Sequence, residues 1–224
     1  MGKLIVLEGT DGTGKSTQLK LLTKRLQSEG TDFRKLQFPQ YLEPSSALIR
    51  MYLGGEFGSS PDDVNAYAAS TFYAVDRYAS YKKVWGEYYR NGGLLISDRY
   101  TTSNAVHQGG KVPPEEREEF FRWLYELEYT RMGLPRPDLV LCLDKPIELA
   151  EQLMRRRESQ TDTKADIHER DEAYLMQCRR TAAEAAGFYG WTTVSCARDG
   201  KIRTPEDIHE EIYTLVKKCL EETK

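Results

Sequence analysis

The chain has 224 residues, which suits one domain with a small appended segment and is long enough to bury a core without disulfide bonds or a structural metal. Its formal net charge of −3 argues against a nucleic acid as the partner. No stretch approaches the apolar length of a membrane span, and no signal-peptide pattern precedes the first strand. The four cysteines are far apart and form no C-x-x-C pair, as is typical of reduced thiols. We therefore expect a cytoplasmic protein without a membrane partner.

Predicted strands and helices alternate along the chain, which is typical of an α/β fold with a parallel sheet covered by helices on both faces. The predicted strands lie at 4–8, 33–38, 94–98, 139–143 and 191–196. The predicted helices lie at 17–27, 44–53, 61–90, 113–132, 146–157, 167–188 and 205–220. Residues 1–224 are thus expected to form a single domain with a five-stranded sheet. Ligands of such sheets bind beyond the carboxyl ends of the strands.

Residues 9–16 match the pattern G-x-x-x-x-G-K-[ST] and lie between a predicted strand and a predicted helix, the context that a phosphate-binding loop requires. Glycines let backbone N–H groups converge on phosphate oxygens, and the helix adds its positive end. Lys15 is expected to reach the β- and γ-phosphates, and Ser16 to offer its hydroxyl to Mg²⁺. The predicted ATP site consists of Gly9, Thr10, Asp11, Gly12, Thr13, Gly14, Lys15, Ser16 and Thr17.

Two acidic residues are candidates for the metal region. Asp98 ends an apolar strand, where a carboxylate can bind or orient Mg²⁺ directly or through water; the alternative is a solvated loop acid. Asp11 lies inside the phosphate loop, where a carboxylate would repel phosphate unless it faced Mg²⁺ or a sugar hydroxyl. We therefore expect Asp11, Ser16 and Asp98 near the metal.

Arginines indicate that the second substrate is also an anion. Arg99 directly follows Asp98, and Arg77 lies in the middle of the predicted helix 61–90. The planar guanidinium suits a phosphate that must be gripped and oriented. For Arg77 the alternative is a pair with a neighbouring acid on a solvated helix face.

A run of three arginines, Arg155, Arg156 and Arg157, precedes a polar segment at 158–165. One interpretation is that these cations complement the carboxyl end of a helix. The other is a lid over about 155–166 that brings an arginine onto the transferring phosphoryl group and excludes water. We predict the lid, because it supplies positive charge that the phosphate loop lacks.

The chain resembles thymidylate kinases, which are P-loop nucleoside monophosphate kinases, over essentially its whole length. The resemblance rests on four stretches in order: residues 8–17 (EGTDGTGKST), 38–41 (FPQY), 98–108 with its Asp-Arg-Tyr start, and 166–169 (DIHE). It implies the P-loop kinase fold and transfer of the ATP γ-phosphoryl group to dTMP, giving dTDP and ADP with Mg²⁺. It also implies a homodimer formed through helices.

The resemblance further implies roles for individual residues. Arg99 and Arg77 would hold the acceptor phosphate and base, Asp11 would face the sugar 3′-hydroxyl, and Tyr73 would stack on the base. Because Gly12 occupies the position where some members carry an arginine, the catalytic arginine would come from the segment 155–157. Arg198 matches the loop that borders the ATP adenine. The remaining acceptor-binding residues implied by the resemblance are Phe38, Pro39, Tyr41, Ser103, Asn104, Gln108, Asp166 and Glu169.

Three features depart from the family pattern. Tyr73 replaces the usual Phe, His107 stands where Tyr is common, and residues 44–58 differ from the commonest version. These departures leave the phosphate chemistry intact and leave open how strictly dTMP is selected. For His107 the alternative is a passive loop histidine.

Other functions compete with this interpretation. A deoxynucleoside kinase would need a carboxylate base for a 5′-hydroxyl, whereas a monophosphate acceptor is already anionic and needs cations. A kinase of dUMP or another pyrimidine nucleotide is a closer alternative. A GTPase-like switch is disfavoured, because the chain has no N-K-x-D motif and the acceptor-side arginines would have no purpose.

Overall fold

The computed structural model describes residues 1–10, 12–145 and 172–222. Within them, one parallel sheet has the strand order β2-β3-β1-β4-β5. Its strands are β1 (Lys3–Glu8), β2 (Arg34–Gln37), β3 (Leu94–Asp98), β4 (Leu139–Asp144) and β5 (Thr192–Ser195). The predicted five-stranded parallel sheet is confirmed, with β1 at its centre.

The described helices are α1 (Lys15–Ser28), α2 (Ala47–Leu53), α3 (Ala66–Ser80), α4 (Gly86–Arg90), α5 (Arg117–Tyr125), α6 (Glu172–Tyr189) and α7 (Pro205–Glu221). The predicted helix 146–157 and the start of the helix predicted at 167 lie outside the described residues. Along the stretches that the structure describes, no helix combines the length and apolar composition needed to cross a membrane.

The prediction of one continuous helix over 61–90 is wrong. Pro61–Asp63 forms a separate 3-10 turn, and α3 begins only after Asn65, whose side chain accepts a hydrogen bond from the Ala68 N–H. A π-helical turn at Tyr81–Trp85 then separates α3 from α4. The helix predicted at 113–132 is likewise a 3-10 turn, α5 and a π-helical turn at Glu126–Arg131. Hydrophobic periodicity alone does not distinguish these turns from a continuous helix.

Two further elements were not predicted. Residues 104–108 form a π-helical turn after β3, and a small antiparallel hairpin pairs β6 (Ala197–Arg198) with β7 (Lys201–Ile202). The hairpin turn has positive φ at both Asp199 (50°) and Gly200 (71°). Asp-Gly is a dipeptide that favours such turns, so the sequence does contain a signal for this hairpin.

Both faces of the sheet are buried, because side chains of a strand alternate between the two faces. Ile5 and Leu7 of β1 pack with residues of α1 and α7 on one face. Leu4 and Val6 pack on the other face with a cluster that includes Trp85. The strand register aligns the carboxyl ends at one edge, since Leu7 lies beside Asp98 and Glu8 lies beside Cys142. The predicted site residues on β1 and β3 therefore lie at the same edge.

Candidate active site

The phosphate loop connects β1 to α1, as predicted. Gly9 has φ of 146°, and a Cβ there would lie 2.8 Å from the Leu143 carbonyl oxygen, so only glycine fits. Gly14 precedes α1 with φ of 99°, and Ser16 and Thr17 are exposed in the first helical turn. Buried Lys15 donates from Nζ to the carbonyl oxygens of Gly9 at 2.5 Å and Thr10 at 3.2 Å. Backbone N–H groups at the start of a 14-residue helix form a site for an anion. Asp11 lies outside the described residues.

A second lysine, which the sequence analysis missed, lies against the same loop. Lys145 directly follows β4 and donates from Nζ to the Gly12 carbonyl oxygen at 3.1 Å. Its side chain is only 4% exposed, and burial lowers the pKa of its ammonium group. No local motif marks this residue, because its partner lies 133 positions away in the chain.

At the end of β3, Arg99 adopts φ of 63°, a conformation that is uncommon and costly outside glycine. Its backbone N–H donates to the Leu7 carbonyl oxygen at 3.1 Å, and its own carbonyl oxygen accepts from the Ser97 hydroxyl at 2.5 Å. The first bond holds the end of β3 against β1, and the second fixes the turn that directly follows β3. Asp98, the predicted metal-region acid, is half-buried beside Leu7, at the edge where the phosphate loop begins.

The Arg99 side chain contacts two residues of the following turn. Its Nη1 lies 3.2 Å from the Ser103 hydroxyl and 2.7 Å from His107 Nε2. Because a guanidinium only donates hydrogen bonds, Nε2 is the acceptor and His107 is neutral in this arrangement. His107 is therefore a neighbour of the predicted phosphate-binding arginine.

Glu8, the last residue of β1, connects the phosphate loop to the segment after β3. Its carboxylate is fully buried and accepts from the Gly9 N–H at 2.8 Å, the Thr102 hydroxyl at 2.6 Å and the Ser103 hydroxyl at 2.7 Å. Arg99 Nη1 lies 3.7 Å from the same carboxylate. No role was predicted for Glu8 from the sequence, although the residue is charged and ends an apolar strand.

Arg77 is not on a solvated face, so that alternative is wrong. It is 2% exposed, and its Nε and Nη2 each donate to Glu128 at 2.6 Å. Burial by itself would lower the pKa of Arg77, but the attraction of the Glu128 carboxylate outweighs this effect, and the pKa of Arg77 is raised. Asn104 donates from Nδ2 to the same Glu128 carboxylate at 3.1 Å. One buried carboxylate thus holds two residues predicted to bind the acceptor.

Glu128 was also missed, although the sequence contains a signal for it. It follows Phe120, Phe121 and Leu124 at helical spacing, and all three are buried. A carboxylate on the apolar face of a helix must be paired, since an unpaired buried charge is too costly.

The segment with the sequence FPQY lies against α3. The Gln40 N–H and the Ser45 hydroxyl donate to the buried Asp76 carboxylate at 2.8 and 2.6 Å. Phe38 is buried in the core with its ring 5.9 Å from the ring of Tyr100, and its peptide bond to Pro39 is cis. Tyr41 is 46% exposed.

The other predicted site residues are distributed as follows. Tyr73 is half-buried beside the small cluster that contains Tyr52 and Ala69. Gln108 is buried, and its Oε1 has no hydrogen-bond partner among the described residues. Arg198 is exposed on the β6–β7 hairpin, beyond β5. Arg155, Arg156, Arg157, Asp166 and Glu169 lie outside the described residues.

The structure thus brings Arg99 and Ser103 together around Glu8, and Arg77 and Asn104 together around Glu128. Lys15 lies on the phosphate loop that begins directly after Glu8. The two groups are connected at Tyr100, whose carbonyl oxygen accepts from Arg77 Nη1 at 3.3 Å. Such a site can bind one phosphorylated ligand on the loop amides and a second anion beside Arg99.

Comparison with known proteins identifies the family. The model of the thymidylate kinase family matches residues 7–212 of this chain. The chain belongs to the thymidylate kinase family. The match includes the phosphate loop, the end of β3 and both buried carboxylates, Glu8 and Glu128.

Curated thymidylate kinase relatives match most of the chain. A thymidylate kinase of Mycobacterium tuberculosis is 32% identical over 190 residues, which cover 84% of this chain and 87% of that protein. A probable thymidylate kinase of Pyrococcus abyssi is 28% identical and covers 96% of both chains. A thymidylate kinase of Halothermothrix orenii is 28% identical and covers 98% of both.

Proposed function

We propose that this protein transfers the γ-phosphoryl group of ATP to dTMP, giving dTDP and ADP. The observation that carries the proposal is the adjacency of the phosphate loop after β1 and Arg99 after β3, which the buried Glu8 carboxylate connects. Membership of the thymidylate kinase family supports the identity of both nucleotides. In this reaction an oxygen of the dTMP phosphate bonds to the γ-phosphorus, the bond to the bridging β–γ oxygen breaks, and ADP leaves with the electron pair.

Each side of the site has a distinct task. The loop amides and Lys15 hold the triphosphate, while Arg99 orients the acceptor phosphate for in-line attack. Arg77 and Asn104, both fixed by Glu128, face the acceptor base. The deoxynucleoside kinase alternative is less well supported, because Glu8 already accepts several hydrogen bonds and Arg99 favours an anionic acceptor.

The residues at this edge fit Mg²⁺, which prefers hard oxygen ligands. Ser16 offers an exposed hydroxyl in the first turn of α1, and Asp98 offers a carboxylate on the neighbouring strand. These two residues would hold Mg²⁺ together with the ATP phosphates, and the ion would neutralise charge on the β- and γ-oxygens. Asp11 is the third residue proposed for this region.

We further propose that the enzyme is a cytoplasmic homodimer of single-domain protomers. All four cysteines are buried, as is typical of reduced thiols in a reducing compartment. The exposed apolar side chains of Val75 and Tyr78 on α3 support the dimer.

The test is an ADP-release assay with ATP against dTMP, dUMP, other nucleoside monophosphates and thymidine. We expect turnover with dTMP and little with thymidine. Because dUMP lacks one methyl group, discrimination against it should amount to about 10- to 200-fold at most. Turnover with thymidine but not with dTMP would contradict the proposal.

Lys15→Ala is expected to abolish transfer while leaving the fold intact, because its ammonium group binds carbonyl oxygens of the phosphate loop rather than a residue of the sheet core. The measurements are turnover with dTMP and the circular dichroism spectrum. Normal turnover in a folded variant would refute the assignment of Lys15.

A further inference from the structure

Among the residues that the structure describes, two ammonium groups contact the phosphate loop. Lys15 binds the carbonyl oxygens of Gly9 and Thr10 in the first half of the loop. Lys145 binds the Gly12 carbonyl oxygen in the second half, at 3.1 Å. The phosphate-loop motif requires Lys15, whereas Lys145 directly follows β4, the strand beside β1.

The second half of the loop needs such support, because its backbone is intrinsically permissive. Gly12 and Gly14 both have positive φ, 76° and 99°, and glycine populates many other conformations at little cost. A Cβ at Gly14 would lie 3.9 Å from Lys145 Nζ, so the ammonium group also lies beside the residue that precedes α1. Lys145 therefore contacts the loop where it turns into the helix.

The Gly12 carbonyl determines where the next N–H points. In a trans peptide unit the carbonyl and the N–H point in opposite directions. When Lys145 holds the Gly12 carbonyl on its own side, the Thr13 N–H is turned away from Lys145. That N–H lies 3.4 Å from the Thr10 carbonyl oxygen, a long hydrogen bond that a phosphate oxygen can replace.

We propose that Lys145 is a positioning residue for the donor nucleotide: it fixes the second half of the phosphate loop and adds positive charge where the β-phosphate binds. The inference rests on the proposed function, since it assigns Lys145 to the donor side of that site. Burial supports it, because an ammonium group with little access to water gains more from a nearby anion than an exposed one does.

The test compares ADP and AMP binding by calorimetry, without dTMP, in Lys145→Met and in the native enzyme. We expect Lys145→Met to weaken ADP binding about 10-fold or more, the scale of a lost hydrogen bond to a charged group. The affinity for AMP, which has no β-phosphate, should fall by no more than about 3-fold, because AMP contacts fewer backbone N–H groups of the loop. Lys145→Arg should restore most of the ADP affinity, because it returns a charged donor.

Lys111 supplies a matched control. It is also partly buried, its pKa is lowered to about 8 chiefly by burial, and its Nζ donates to the Val64 carbonyl oxygen at 3.0 Å, outside the site. Lys111→Met should leave ADP affinity unchanged even if it lowers the unfolding temperature. If Lys145→Met does not fold, Lys145→Gln retains a neutral donor, and its ADP affinity should fall measurably.

Two results would overturn the inference: native ADP affinity in Lys145→Met or Lys145→Gln, or equal losses of affinity for ADP and AMP. The outcome is independent of the acceptor, because ADP binding is measured alone. Failure of the proposed function would instead appear as ADP binding without turnover of dTMP.

Discussion

Arg77 and Glu128 form an ion pair with almost no access to solvent, with exposed fractions of 2% and 0%. Such a pair contributes little net stability, because desolvation offsets the attraction, but removing one partner costs about 3–5 kcal/mol. The role of this ion pair is therefore to fix the position of the Arg77 side chain rather than to stabilise the fold. Glu128 fixes Arg77 with two bonds of 2.6 Å and leaves Arg77 Nη1 near Tyr100 for further contacts.

Glu128→Gln is expected to raise the KM for dTMP about 10-fold while changing the KM for ATP much less. A neutral amide cannot accept both guanidinium bonds as well as the Asn104 bond, so Arg77 and Asn104 lose their fixed orientation. Steady-state kinetics with each substrate varied in turn gives the measurement.

Glu184→Gln is the matched control, because Glu184 also binds a buried arginine, Arg117, at 2.7 and 2.8 Å, away from the site. It should leave both KM values unchanged. Equal increases in the KM for dTMP and in the KM for ATP in Glu128→Gln would instead show that Glu128 stabilises the fold as a whole.

Individual residues also show what the sequence could predict. Lys15, Ser16, Asp98 and Arg99 were found because each lies in a short contiguous motif or directly after an apolar strand. Lys145 was missed because its partner lies 133 positions away. Glu128 carries the signal of a carboxylate on an apolar helix face, but its partner Arg77 lies 51 positions away. The chain brings such pairs together only by folding, and a single sequence does not specify them.

Among the elements, α3 connects the two halves of the proposed acceptor site. Its buried Asp76 binds the loop after β2, and the adjacent Arg77 binds the Glu126–Arg131 turn through Glu128. The strands of this fold could be predicted, because each is an apolar run between turn signals. The breaks inside the predicted helices 61–90 and 113–132 could not be predicted, since a π-helical turn keeps the chain helical and shifts the apolar spacing by only one residue.

The arginine-rich element at 155–157 lies outside the described residues, and its role stays a prediction from the sequence. Gly12 supplies no side-chain charge to the phosphate loop, so we expect these arginines to stabilise the transition state. Replacing Arg155, Arg156 and Arg157 with Gln should lower kcat by about 10²-fold or more, the scale of lost transition-state donors.

Single replacements of the three arginines would then identify the one that contributes most. The KM values should change less than kcat, because the charge is needed mainly during transfer. An unchanged kcat in the triple variant would show that the catalytic charge comes from elsewhere, with Lys145 the first residue to examine.

At the scale of the whole molecule, α3 also presents an apolar strip to solvent. Val75 is 50% exposed and Tyr78 is 39% exposed, and Thr71 lies on the same side of the helix at a spacing of four residues from Val75. The opposite side of α3 carries the buried Asp76 and Arg77. A dimer formed through this strip would therefore cover the face of α3 that lies opposite Asp76 and Arg77.

Val75→Glu is expected to weaken the homodimer, with at least about a 10-fold increase in its dissociation constant. In a two-fold symmetric interface each substitution occurs twice, so two carboxylates would be buried near each other. Sedimentation equilibrium at several protein concentrations measures the effect. Met176→Glu, which changes an exposed apolar residue of α6, is the control and should leave the association unchanged. A native protein that sediments as a monomer, or a dimer equally stable in Val75→Glu, would contradict an interface on α3.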